Sequence, residues 1–137
     1  MTDLFAVSER LAAKEQSTGF ELLTATEQVF HTVWWFEAEL NNGGFDQFFF
    51  NSRGNYAAQT IAALERIGAS TTANIVKRAC AMFPDSTPSP DWSTRQQQLF
   101  TITDDDEEAF ESLTSEFYEY PDAIGELLAK YWETHGG

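Results

Sequence analysis

Apolar residues recur at three- and four-residue spacing along most of this chain, and nowhere do they alternate long enough to make a convincing strand. The spacing predicts a first amphipathic helix from Leu4 to about Gln16, with Leu4, Val7, Leu11 and Phe5 turned inward. Ser17-Thr18-Gly19 interrupts it, and Thr18 with Glu21 has the three-apart spacing of a capping box. The helix so opened runs to about Leu40, with an apolar arc of Leu22, Leu23, Val29, Phe30, Val33, Trp34, Phe36 and Leu40. Asn41-Asn42-Gly43-Gly44 stops it, because Asn and Gly tolerate left-handed backbone at a helix end.

Phe45 to Asn51 reads as a short helical turn, and Ser52-Arg53-Gly54-Asn55 as a connector. Tyr56 to Ile67 is a helix with Ala57, Ile61 and Leu64 on one side, stopped by Gly68. Thr71 or Thr72 caps the next, which carries the stripe Ile75, Val76, Ala79, Cys80, Phe83 and ends before Pro84. Residues 84–92 hold three of the four prolines and form a loop that Trp92 pins to the body. Leu99 to Thr103 reads as a short extended piece. Two further helices are expected at about 104–119 and 122–134, separated near Pro121. The expectation is an all-α bundle of about six or seven helices.

Charge then changes the picture. Residues 101–137 carry eleven carboxylates against one base, Lys130, and so hold −10 of the chain's formal −14. Disordered acidic tails lack aromatics and periodicity, but here Phe110, Leu113 and Phe117 fall within about 60° of one another on a helical wheel. Asp104, Asp105, Glu108, Glu111, Glu116 and Glu119 project to the opposite side, so the acids are expected on a folded surface. Thr103 is placed to cap a helix whose first turn holds Asp104, Asp105 and Asp106, at the positive end of its dipole. Such a surface repels nucleic acid and anionic membrane and attracts basic protein.

A length of 137 residues suits one domain with a core of its own. No apolar run approaches the ~20 residues of a membrane span. Met1-Thr2-Asp3-Leu4 lacks the basic start and apolar run of a signal peptide. The single cysteine, Cys80, lies on an apolar stripe and reads as a buried structural thiol in a reducing compartment, so a cytoplasmic location is expected.

The most specific local pattern is Leu40-Asn41-Asn42-Gly43-Gly44-Phe45-Asp46-Gln47-Phe48-Phe49-Phe50-Asn51, continued by Ser52-Arg53-Gly54-Asn55-Tyr56 and by Thr60 to Ala69. With these residues the chain resembles, over about residues 20–130, the family of small acidic bacterial proteins named for a DNA-mimic protein. The resemblance implies a helical fold. It also implies that surface acids imitate duplex phosphates and occupy the DNA-binding face of a transcription regulator or nucleoid protein. No catalytic role comes with it. Read from the residues alone, Gly43 and Gly44 permit a sharp reversal, and Phe45, Phe48 and Phe49 have core spacing. Gln47, Asn51 and Asn55 can satisfy loop backbone, so the motif from Asn41 and Asn42 to Asn51 is structural first.

Helix carboxylates one turn apart sit ~5–6 Å from their neighbours, the same order as phosphates along B-DNA, which shows one charge per ~1.7 Å of axis. A homodimer would extend such an array. Three other uses compete. A small polar pocket at the Asn42–Asn51 turn would suit a ligand-binding or hydrolase-like domain, with Glu37, which falls inside an apolar arc, as a raised-pKa acid; the structural alternative is that Glu37 is a buried acid bonded to Arg53 or to amides near Gly44. Trp35, placed on the opposite arc with Gln28, His31 and Glu39, or Trp92 would suit an apolar interface. Asp104 to Glu108 is rich in oxygen ligands but lacks the spacing of a calcium loop, and His31 and His135 have no partner at ligand spacing. No cofactor or metal is therefore expected. No nucleophile elbow, phosphate loop or zinc-protease motif is present, and the expectation is a binding protein rather than an enzyme.

Overall fold

The longest helix organises the chain, and the motif described above breaks it. In the computed structural model, which describes residues 2–136, helix α2 spans Ala25–Phe50. Its regular backbone fails at Gly43 (φ −160°, ψ 17°) and Gly44 (φ 68°, ψ −164°). The expected stop is therefore a sharp kink, after which the chain resumes helical geometry and carries Phe45, Phe48 and Phe49 into the core. Only Gly adopts the Gly44 backbone without strain.

Around α2 stand α1 (Leu4–Thr18), α3 (Ala57–Arg66), α4 (Ser70–Cys80), α5 (Trp92–Asp105), α6 (Glu111–Tyr118) and α7 (Ile124–His135). Short 3₁₀ turns lie at Phe20–Leu22, Ser52–Tyr56 and Pro84–Ser86, and no strand occurs among the described residues. The fold is a single all-α domain. Helix α2 packs against α1, α3, α5, α6 and α7, while α4 packs on α3 and α6. Aromatic rings fill the centre. Phe36 meets Phe48 and Phe117 edge-on at 5.4 and 5.5 Å, and Phe49 lies 4.6 Å from Phe83 and 5.3 Å from Phe110. Each such side chain contributes about 1.5–3 kcal/mol by leaving water.

Several expectations shift. Helix α1 runs on to Thr18, whose hydroxyl donates to Lys14 O, and Gly19 (φ 90°) ends it. The working capping box is Thr24 with Glu27, six residues later than expected. Leu23, just before Thr24, is buried, whereas Phe5 and Leu22 are exposed rather than inward.

Neither Thr71 nor Thr72 caps α4. Asp122, from the α6–α7 connection, accepts from Thr72 N at 2.7 Å and from its hydroxyl at 2.9 Å. The proline-rich segment holds a 3₁₀ turn, after which Asp91 caps α5 by accepting from Thr94 N. Trp92 does pin this corner, through an Nε1–H bond of 2.7 Å to Phe50 O, with its ring half exposed.

Leu99 to Thr103 is helical rather than extended, and Thr103 caps nothing: its hydroxyl donates back to Leu99 O. Asp104 and Asp105 close α5 instead of opening a helix, so they sit at the negative end of its dipole.

Candidate partner-binding surface

Phe110, Leu113 and Phe117 are buried and fasten α6 to the body, which turns its other side to water. Asp104, Asp105, Glu108, Glu111, Glu116 and Glu119 are all exposed. Asp106 shapes the bend between α5 and α6 by accepting from Glu108 N at 3.0 Å. Carboxylates at a helix C-terminus cost about 0.3–1 kcal/mol each rather than stabilising it. Asp104 and Asp105 thus do nothing for α5, and local stability does not explain their presence.

The six acids do not form one group. Glu108, Glu111, Glu116 and Glu119 line a shallow hollow of about 670 Å³ between α4 and α6, with Thr71 and Ile75 on its other wall. Asp104 and Asp105 border a second hollow, beside Met82. Glu116 is already matched by a base of its own chain, because Arg78 binds both its oxygens. Those bonds hold the Glu116 carboxyl below its ordinary value and Arg78 above its own. Both side chains are exposed, so the pair adds little to stability. Among the described residues Glu108, Glu111 and Glu119 have no basic partner.

The Asn-Gly-Gly motif ties itself together. Asn42 Nδ2 donates to Gln47 Oε1 at 2.9 Å. Gln47 Nε2 and Asn51 Nδ2 both donate to Glu39 Oε2, at 2.7 and 3.1 Å. A side chain at Gly43 would collide with Gln47. The buried acid beside the motif is therefore Glu39, which the helical wheel had set on the outer arc, and not Glu37; the other buried acid of α2, Glu27, belongs to the capping box. The kink explains the exchange, because it brings Gln47 and Asn51 back over Glu39. Glu37 is half buried and accepts from the Tyr120 hydroxyl at 2.6 Å, and Asn41 Nδ2 donates to that hydroxyl at 2.8 Å. Burial and the Glu37 carboxylate push the Tyr120 hydroxyl up to about 12.

Beside this network runs an open groove of about 1000 Å³ between the second half of α2 and α5. Gly43, Asp46, Gln47 and Asn51 line one side, Phe50 and Phe100 the apolar part, and Asp104 and Glu107 the far rim. Glu37 takes no part in it. Asp46 is exposed as a residue, yet neighbouring atoms desolvate its carboxyl and raise its pKa.

With the acids displayed on a helical body and the Asn-Gly-Gly kink at its centre, the comparison with known families is decisive. A family model for DMP19-like protein matches residues 21–135. The chain belongs to the DMP19-like protein family. The match spans both the Asn-Gly-Gly kink and the acidic helices. No curated protein and no solved structure matches the chain significantly.

Two polar clusters escaped the sequence reading. Arg95, one turn into α5, is fully buried and donates to three carbonyls: Phe49 O, Asn51 O and Ser89 O, each at 2.8 Å. It thereby caps the C-terminus of α2, and desolvation lowers its pKa. The second cluster joins α1 and α2. His31 Nε2 lies 2.9 Å from Glu15, and Arg53 bonds Glu15 and lies over the Trp35 ring at 4.3 Å. Arg53 thus serves Glu15 rather than Glu37, and it covers part of Trp35, which is half buried.

Burial holds Cys80 up to about 12, which makes it a poor thiolate. Among the described residues no three His, Cys, Asp or Glu side chains gather to hold a metal ion, and no helix is long and apolar enough to cross a membrane.

Proposed function

We propose that the protein acts as a DNA mimic in the cytoplasm, as a binding protein and not an enzyme. Its outward carboxylates would occupy the DNA-binding surface of a basic transcription regulator or nucleoid protein. Membership of the DMP19-like family supports this reading. The observation that carries it is the hollow between α4 and α6, where four exposed carboxylates converge on one folded surface. The partner is read as a protein, because the carboxylates repel nucleic acid itself.

The test immobilises the protein and passes cell lysate from its source over it. One basic DNA-binding protein is expected to be retained, released by salt and displaced by duplex DNA. Changing Asp105, Glu108 and Glu111 together to Lys is expected to abolish that capture while circular dichroism stays helical. Capture that survives this change would exclude this face as the mimic.

A further inference from the structure

The groove between α2 and α5 has features that the hollow on α6 lacks. Phe50 and Phe100 are 42% and 51% exposed, and their ring centroids lie 6.2 Å apart. The half-exposed Trp92 donates its Nε1–H to the backbone carbonyl of Phe50 but does not line the groove. Exposed apolar side chains that adjoin one another, rather than lying singly, are candidates for an interaction site. The same groove is lined by Asp46 from α2, by Asp104 from α5 and by Glu107 from the bend that follows. None of these three carboxylates has a basic partner among the described residues, and no Lys or Arg lines the groove.

Aromatic faces beside free carboxylates are complementary to one side chain above all. The planar guanidinium of arginine stacks on an aromatic ring and binds carboxylate with two parallel hydrogen bonds. Lysine, a compact and strongly hydrated charge, does the first less well and the second not at all. The apolar part of the groove, in turn, suits an aliphatic residue on the same segment.

We infer that this groove is the anchor point for the basic partner, and that it takes a protein segment placing an arginine and an adjacent aliphatic side chain on Phe50 and Phe100 between Asp46 and Asp104. This rests on the reading of the protein as a binder of basic proteins, and it adds that the acids on α6 steer the partner while the aromatic groove holds it. A partner held by charge alone leaves at high salt, whereas one seated on aromatic rings persists longer.

The probes are three acetylated, amidated peptides of equal length and charge. One places Arg and Leu at helical spacing, the second replaces each Arg by Lys, and the third replaces each Leu by Ser. Amide shifts of the full chain and fluorescence anisotropy are followed at low salt and at about 0.5 M salt. The Arg/Leu peptide is expected to shift residues 46–51 and 97–107. It should bind at least about tenfold tighter than the Ser version, bind tighter than the Lys version, and retain measurable affinity at high salt. Phe100→Ala, a change on the surface, is expected to cost at least about tenfold, and Asp46→Asn to weaken the Arg peptide more than the Lys peptide. Circular dichroism shows whether each variant is folded.

Shifts confined to residues 108–119, or equal binding of all three peptides, would overturn the groove and leave the mimic reading standing. Groove binding that is indifferent to charge reversal on α6 would keep the groove while removing the role of the α6 acids. Absence of binding at either place would remove both. Groove shifts that grow with protein concentration in the absence of peptide would make a second copy of this chain the occupant, and would also overturn the proposal.

Discussion

Thr114 and Tyr118, one turn apart on α6, grip the two sides of the break in α2. The Tyr118 hydroxyl donates to Leu40 O at 2.6 Å, in the last turn before the break. Thr114 Oγ1 accepts from Phe45 N at 3.2 Å, in the first turn after it. A helix of only eight residues thus fixes the angle at which α2 resumes.

The break is expected to be sensitive to small changes. Gly44→Ala forces a side chain into left-handed backbone and puts its Cβ 2.8 Å from Thr114 Cγ2. A cost of about 1–3 kcal/mol is expected from the backbone alone. Adding Thr114→Ser removes the methyl group but keeps the hydroxyl, so the double variant is expected to be more stable than the sum of the single changes. Tyr118→Phe loses one hydrogen bond, about 0.5–1.5 kcal/mol. Urea denaturation of the wild type, the three single variants and the double variant measures all of these.

Arg95 is expected to be among the most costly side chains to truncate. Arg95→Met strips three carbonyls of their donor at one buried site, with an expected loss of roughly 3–5 kcal/mol. Arg95→Lys keeps the charge but cannot reach three acceptors with a planar fork, so it recovers only part of that loss. The urea midpoint is expected to fall with little change in slope; an unchanged midpoint for Arg95→Met would show that the guanidinium is dispensable.

Acid is expected to loosen the α1–α2 contact in two stages. Desolvation depresses His31, helped by the charge of Arg53, and outweighs the opposing bond to Glu15, so the folded imidazole titrates below its ordinary 6.5. The unfolded chain then takes up that proton first, and stability falls as pH drops below 6.5 until the folded imidazole itself titrates. Burial pushes Glu15 up, but the bonds and charges of His31 and Arg53 prevail and hold it below 4.5. Its contribution is present above 4.5 and is lost as pH falls through its folded value. His31→Gln is expected to flatten the upper stage and, because His31 helps hold Glu15 down, to shrink the lower one to what Arg53 sustains, as read by urea midpoints at successive pH values; an unaltered upper stage would assign it to another group.

The helical fold was legible in the spacing of apolar residues, and Phe110, Leu113 and Phe117 lie where the wheel put them. Boundaries were read less well where two signals looked alike. Thr18-x-x-Glu21 and Thr24-x-x-Glu27 have the same form, and only the left-handed Gly19 at the end of α1 decides between them. Asp104 to Asp106 resembled a helix start, although Asp91 after Pro90 is the stronger cap, and once it is used the helix runs through Leu99 to Asp105. At the candidate surface, the exposure of the acids followed from the pattern, but their division between separate hollows depends on how α5 turns into α6. The exchange of Glu37 for Glu39 came from ending the helix at Leu40, because the wheel of the first segment alone does not show that Gln47 and Asn51, beyond the expected stop, return to bond Glu39. Arg95 left no trace, because a buried arginine whose partners are backbone carbonyls has no counter-charge to mark it.

Because Thr114 and Tyr118 hold the kink through their hydroxyls, while Glu111 and Glu119 extend into water with no basic partner among the described residues, α6 and its C-terminal turn carry two independent registers. One register answers to the kink and tolerates little revision. The other is free of the fold, so its charges can be rewritten one at a time, toward a different client, on a scaffold that does not notice.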